Sequence, residues 1–588
     1  MSTALTGPGG GVPDALVPSS WERLLGRVVG SPRRVFWFGF LAMLLVTSCW
    51  VVGNPLIASV DEASHATKAA ATVRGQWVPD TEGQSAGVGV AEVPELFEDA
   101  IDLQYCIAFQ PDTPASCQPE LTGDLDDETE VLTTAAAYNP LYYAVVGVPS
   151  LLPVGEHTLY LMRFMSAVLG SLLFAVALRT VAEVRRSHWL VLGVVAALTP
   201  MVLYLTSAVN PQTTEVMGAL ALWVCLLTTL RYPDPALLTR RLARIALVGA
   251  FFVNSRGISP LFLVCILVAV LVAVPWRSVV DLVRDRRSWP WIGLAAVASV
   301  AAAAWILLAG ALPQVEQVLN PELVGLRVVK TTLGETSYYL QSMIGVFGWL
   351  DTPLPGWLYY VFAGVVGLVV GLALAVGRRR VLLAMAGTAL VVLVLPVVVQ
   401  LAQAKYLGFI WQGRYMLPLA LGIPVLAGFA VQDRLRDLPS WVARRVLRLV
   451  VLVAAGGHFV AFGVNLHRYV NGAQGEWTGW DAESWLPPVQ PWVLLAVYAV
   501  AWAAVAAVLL AAADAGPAAG LGEDARSGAS NHADAAVPPT GSAPDAAVPP
   551  TGSASDGAPS DGPASDRSVP PDAGSGGSER LAAPSSPA

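Results

Sequence analysis

Long apolar runs, repeated along most of the chain, constrain the fold more than any other feature. The first, VFWFGFLAMLLVTSCWVVGNPLI (35–57), holds 23 residues without a charge. About 20 such residues in a helix cross a bilayer's hydrocarbon core. In lipid, every backbone N–H and C=O must find its partner inside the protein. A chain made of such runs is therefore expected to be an all-α polytopic membrane protein. Composition agrees, with 55% hydrophobic and 13% charged residues and a mean hydropathy of +0.58.

Arginine placement suggests an orientation, because short cytoplasmic loops collect Lys and Arg. Basic groups occur at Arg23–Arg34, Arg179–Arg186, Arg231–Arg244, Arg277–Arg287, Arg378–Arg380 and Arg434–Arg448. Placing all of them inside predicts twelve transmembrane helices, at about 35–57, 158–181, 189–208, 212–230, 243–255, 258–276, 289–311, 356–376, 381–404, 414–431, 446–464 and 491–513. Both termini are then cytoplasmic. The Ala-, Val- and Arg-rich usage points to a bacterial cell membrane. No small-x-small cleavage site follows the polar segment 1–34, so the first run is expected to be a retained helix.

The expected organisation has three parts. Residues 1–34 form a cytoplasmic segment, 35–513 the membrane domain, and 514–588 a tail. The tail repeats DAAVPPTGSA at 534–543 and 545–554 and is poor in groups that build a core. It is expected to be disordered. A large first outer loop occupies 58–157. Within it YNPLYYAVVGVPSLLP (138–153) is too short to span, and is expected to lie in the interface with Tyr142 and Tyr143 at headgroup level. The aromatic segment 336–360 reads in the same way.

That loop is acidic. Between Asp61 and Glu130 there are sixteen Asp and Glu residues against Lys68 and Arg74, a balance that repels phosphates and excludes a nucleic-acid partner. Cys106 and Cys117 lie eleven apart within it, a candidate disulfide if the loop faces an oxidising compartment.

Chemistry concentrates where the first run ends. In VDEASH (60–65), Asp61 and His65 share a helix face. A carboxylate at the membrane mouth is partly desolvated yet reaches a soluble substrate, which suits a general base. A divalent cation, Mg or Mn, would also fit between Asp61, Glu62 and a phosphate oxygen. The plainer alternative is an N-cap and first-turn cluster on a loop helix, where acids favour the positive end of the dipole. Arg163, Glu215, Arg256 and Arg414 all fall at the same predicted outer level. Charges at membrane depth are costly and usually functional, so the three arginines are candidates for holding a phosphate, with Tyr142 and Tyr143 as further candidate substrate contacts. P-loop, dinucleotide-binding, zincin and serine-hydrolase motifs are missing.

VDEASH, NPLYYAVVGVPSLL (139–152) and LMRFMSAVLG (161–170) together resemble the GT-C class of integral membrane glycosyltransferases. DEASH, GVFGWLDTPLP (345–355) and QGRYMLPL (412–419) resemble, more narrowly, a bacterial family of predicted membrane proteins known as domain of unknown function 2142. The likeness spans about 35–510. It implies a GT-C-like fold, a polyprenyl-phosphate-linked sugar donor and an extracytoplasmic glycan or glycoprotein acceptor in the cell envelope. It also implies that Asp61 is the base, sometimes with a divalent metal. The class motif often separates its two acids by one residue, whereas Asp61 and Glu62 are adjacent. His65 matches the narrower pattern without an assigned role. Two other classes stay open at this point: a transporter or flippase of lipid-linked glycans, and a non-catalytic envelope assembly partner.

Overall fold

The computed structural model describes residues 29–82, 84, 87–310, 318–477 and 485–515. The tail after Ala515 and the segment before Val29 lie outside the described residues.

The first helix, α1 (Pro32–Gly53), starts at Ser31, whose side chain caps Arg34 N with Pro32 in the first turn, a pre-organised start. Outside the bundle follow α2 (Glu62–Val73), β1 (Gly89–Pro94), α3 (Leu96–Tyr105), β2 (Glu128–Thr133) and α4 (Pro140–Val146). Strands β1 and β2 pair antiparallel, Gly89 opposite Thr133 and Pro94 opposite Glu128. A second short pair joins Val346–Phe347 to Thr352–Pro353. The all-α expectation is thus corrected in the loops, where extended segments outside the apolar helices pair with one another. Cys106 and Cys117 form a disulfide.

The bundle continues with α5 (Glu156–Val181), α6 (His188–Ala197), α7 (Pro200–Thr206), α8 (Gln212–Arg231), α9 (Leu238–Val253), α10 (Ser259–Ala273), α11 (Trp276–Arg284) and α12 (Trp289–Leu308). Short helices α13 (Gly325–Gly334) and α14 (Thr336–Gly345) precede α15 (Gly356–Val376), α16 (Arg379–Leu407), α17 (Leu417–Ala420), α18 (Gly422–Leu435), α19 (Ser440–Asn471) and α20 (Pro491–Asp514).

Among the described residues, nine helices are long and apolar enough to cross a membrane, and two bent pairs raise the count to eleven. The protein is polytopic, but the expected twelve are not reached. The run expected at 243–255 is α9, whose 16 residues rise only ~24 Å at 1.5 Å each. The run at 189–208 breaks into α6 and α7, bent by 69°. Pro200 explains the break, since it disfavours helix at the residue before it, and Thr199 is extended (φ −100°, ψ 161°).

Two features organise the core. Trp50 of α1 donates to Tyr498 Oη (3.0 Å) and packs edge-on against Tyr204, Phe347 and Phe462. Helices α6 and α18 cross closely through glycines. A Cβ on Gly193 would stand 2.7 Å from Pro424 O, and one on Gly428 2.6 Å from Trp189 O. In lipid such small-residue contacts are a main source of helix association.

The ends of the bundle differ. At one end, buried Glu183 pairs with Arg241 (3.0 Å) and Arg244 (2.5 Å), and Asp433 pairs with Arg231. There Asp514 also meets His188 and Arg444, each at 3.1 Å. Asp61 lies at the opposite end.

Tyr142 and Tyr143 depart from expectation. They are 1% and 0% exposed, so they face the protein interior rather than lipid headgroups. Helix α4 turns them inward because its end packs onto α2, so closely that a Cβ on Gly147 would stand 2.2 Å from Ala69 O.

Gly193→Ala and Gly428→Ala should each cost about 1–3 kcal/mol through overpacking. Thermal unfolding in detergent should show a lowered Tm for both. Gly371→Ala, with nothing within 4 Å of the new methyl, should leave Tm unchanged.

Candidate functional site

The turn from α1 to α2 is an unusual piece of backbone. Ile57 (φ 58°) and Asp61 (φ 65°) are both left-handed without being glycine. Such residues cost ~1–3 kcal/mol each and persist where surrounding structure over-determines them.

Arg163 and Glu62 supply that structure. Arg163 Nε donates to Glu62 Oε1 and Nη2 to Glu62 Oε2, both at 2.7 Å. Nη1 reaches Asn54 O (3.0 Å) and Val51 O (3.4 Å), and Nη2 also reaches Pro55 O (2.8 Å). All five guanidinium donors are engaged, so none is left for a phosphate. Glu62 is equally occupied. Its Oε1 accepts from Val209 N (3.0 Å) and its Oε2 from Ser59 N (3.4 Å). Both side chains are at most 2% exposed. Tyr204 and Tyr469 hydroxyls add donors to Ala58 O at 3.3 and 3.4 Å. Arg163, α5 and α1 thereby fix the turn that carries Asp61.

Asp61 faces the other way. It occupies the N-cap position of α2, with Glu62 in the first turn as the plainer alternative has it, but it makes no side-chain cap bond. Its carboxylate is 44% exposed and accepts from Arg414 Nη2 at 3.2 Å. Arg414 is 3% exposed and is aimed by Gln412 Oε1 (2.6 Å) and Gln212 Oε1 (2.7 Å). Arg256 joins from the α9–α10 hairpin. Its Nη1 lies 3.3 Å from Glu215 Oε2, and Ser259 Oγ donates to the other Glu215 oxygen at 2.7 Å. The Tyr415 ring contacts both cations, 4.7 Å from Arg256 and 5.3 Å from Arg414, within cation–π range.

His65 sits one turn into α2. Tyr143 Oη lies 2.8 Å from its Nδ1, and the Tyr138 ring packs edge-on at 5.4 Å. Burial pushes the His65 pKa down to about 4. Asp61 opposes that shift, while Arg256 and Arg414 reinforce it. The ring is neutral at pH 7. Tyr142 Oη meets Ser166 Oγ (2.9 Å), which meets Thr213 Oγ1 (2.9 Å). Tyr142 thus joins α4, α5 and α8 and stands apart from Asp61's partners.

Beside Arg256 and Tyr415 lies a cavity of about 490 Å³. Tyr138, Asn139, Arg256 and Tyr415 line it together with apolar Leu261, Ala302, Trp305, Ile306, Val399 and Trp411. Part of this wall belongs to α12, whose apolar window is only 6% buried. The cavity therefore has a charged head and an apolar body beside a helix that faces outward.

The donor set does not fit a two-carboxylate Mg or Mn site. Glu62 is consumed by Arg163, and Asp61 already faces Arg414. Among the described residues no group of three His, Cys, Asp or Glu side chains could hold a metal ion.

Several residues escaped sequence reasoning. Gln212 and Tyr415 orient or contact the arginines, yet neither carries a charge that would mark it. Asp351, in GVFGWLDTPLP, lies 3.6 Å from buried Arg468. Arg468 in turn donates to Thr113 O, Ile107 O and Gln110 O of the disulfide segment (2.8–3.1 Å).

Arg163→Met should cost about 3–5 kcal/mol, since it strands a buried carboxylate. The double change Arg163→Met with Glu62→Leu should recover part of that loss in thermal unfolding. For His65, the unfolded ring (pKa about 6.5) takes up a proton before the folded one (about 4). Its contribution to stability is full above pH 6.5 and falls as pH drops toward 4. Stability measured across this window should fall more steeply for wild type than for His65→Asn.

A family model described as "Predicted membrane protein (DUF2142)" matches residues 44–423, a stretch that includes VDEASH, Arg163, Arg256 and Arg414. No match is found among curated proteins. With more than half of its length matched, the chain belongs to the DUF2142 family of predicted membrane proteins.

Proposed function

We propose that the protein is a GT-C-like membrane glycosyltransferase. On this reading it moves a sugar from a polyprenyl-phosphate-linked donor to an extracytoplasmic envelope acceptor. The observation that carries the reading is one half-exposed carboxylate, Asp61, facing Arg414, whose neighbour Tyr415 also meets Arg256 at the charged head of an apolar-bodied cavity. The donor has the same asymmetry: an anionic phosphate joined to a long apolar chain.

The residues present account for each part of the transfer. Asp61 takes the proton from the acceptor hydroxyl as its oxygen bonds to the sugar's anomeric carbon. The bond from that carbon to the phosphate oxygen breaks, and its electron pair leaves with the polyprenyl phosphate. Arg256 offsets the growing phosphate charge, which is worth most where water is excluded. Arg414, 3.2 Å away, holds Asp61 in place. Neutral His65, against Tyr143, backs the helix turn without adding a cation.

Transport is the second reading, favoured by the 69° break between α6 and α7, since transporters are often built around broken helices. Against it, the charged cluster lies at one end of the bundle.

The deciding assay follows polyprenyl phosphate released from a panel of polyprenyl-phosphate sugars with envelope acceptors. Asp61→Asn should lower turnover ~100-fold or more, as loss of a general base does. Arg256→Ala should raise the donor KM ~10-fold through a lost charge-assisted contact. Chelators should leave wild-type turnover intact. Equal turnover by Asp61→Asn would remove Asp61 from the chemistry. Translocation of the lipid-linked glycan without release would establish transport instead.

A further inference from the structure

At the end remote from Asp61, α11 breaks the run of membrane helices. The chain turns by 114° between α10 and α11, at Val274–Pro275, where both residues are extended. Helices α10 and α12 on either side are strongly apolar. The break leaves nine residues, WRSVVDLVR, lying across the end of the bundle. Trp289 Nε1 donates to Val283 O (3.0 Å) and closes the turn into α12.

This short helix has three kinds of surface. Val279 and Leu282 pack onto the core. Trp276, Val283 and the neighbouring Trp289 are 64%, 50% and 59% exposed. Arg277 and Arg284, seven residues and so two turns apart, share one edge of the helix. Arg277, Arg284 and Arg286 are exposed and make no ion pair among the described residues. Arg287, by contrast, is paired with Asp285 (2.7 Å).

We propose that α11 is a binding surface for anionic phospholipid headgroups. Its neighbours decide the occupant. A segment that joins the apolar α10 to α12, a helix of membrane-spanning length with only 6% of its apolar window buried, lies at the level where a bilayer's interface begins. Exposed tryptophans belong at that level. Arginines beside an apolar helix face extend to the headgroup phosphates. Two unpaired guanidiniums on one edge then prefer a lipid with net negative charge over a zwitterionic one, by about fivefold per arginine.

The test uses the full chain in detergent, titrated with dioleoyl phosphatidylglycerol or dioleoyl phosphatidylcholine, with bound lipid counted by native mass spectrometry. Wild type should prefer phosphatidylglycerol. Arg277→Gln with Arg284→Gln should weaken that lipid about 20-fold and leave phosphatidylcholine unchanged. Arg277→Lys with Arg284→Lys should keep the preference, which separates lost charge from a misfolded helix. Trp276→Ala should weaken both lipids alike. Equal affinity of wild type for the two lipids, or an unchanged preference in the Gln variant, would overturn the proposal. So would full displacement by inorganic phosphate, which would make the surface a free-phosphate site.

Discussion

The buried pair of Arg163 and Glu62 is the contact on which the rest of the site depends. A buried ion pair adds little net stability, because desolvation offsets most of the attraction. What it supplies here is geometry. One guanidinium holds the carboxylate of α2 and three carbonyls at the end of α1. That grip makes the left-handed Asp61 tolerable. Two adjacent acids consequently point in opposite directions: Glu62 into the protein, Asp61 toward Arg414.

The bilayer imposes the complementary constraint. Inside hydrocarbon, polar groups must be paired or absent, so chemistry gathers where helices end. Asp61 stands at the end of α1, Gln212 at the start of α8, Arg256 between α9 and α10, and Arg414 just before α17. None of these elements is adjacent to all the others in sequence. They meet because the helices share a common end, and the hairpins and bends set the depth at which each side chain arrives. The disulfide segment is drawn over this end by Arg468, whose guanidinium collects three of its carbonyls.

Much of this was legible from the chain alone. Apolar runs located the long helices of the bundle, since length and hydropathy are local properties. Asp61, Arg256 and Arg414 were singled out for being charged at membrane depth. What stayed hidden was pairing. Arg163 and Arg414 look alike in sequence, but one has all five donors bound and the other borders an exposed carboxylate. Tyr142 and Tyr143 read as belt aromatics because their short run resembles an interfacial helix. Only the packing of α4 onto α2 turns them inward. Among the described residues the span count reaches eleven rather than twelve because the run at 243–255 forms a helix of only 16 residues.

The adjacency of Asp61 and Glu62 bears on how phosphate charge would be met. Two acids separated by one residue can be arranged to face a common cation. Here the left-handed turn and the Arg163 clamp separate the two carboxylates instead, leaving one facing Arg414. A lone carboxylate is a poor seat for a divalent ion but suffices to accept a proton. The positive charge that a phosphate needs then has to come from side chains. Arg256 and Arg414 meet that need in different ways: Arg256 is balanced by Glu215 and lines the cavity, whereas Arg414 is spent on Asp61. On the glycosyltransferase reading, therefore, the leaving phosphate belongs to Arg256 and the base to Arg414, and the Tyr415 ring that touches both is the element that couples them.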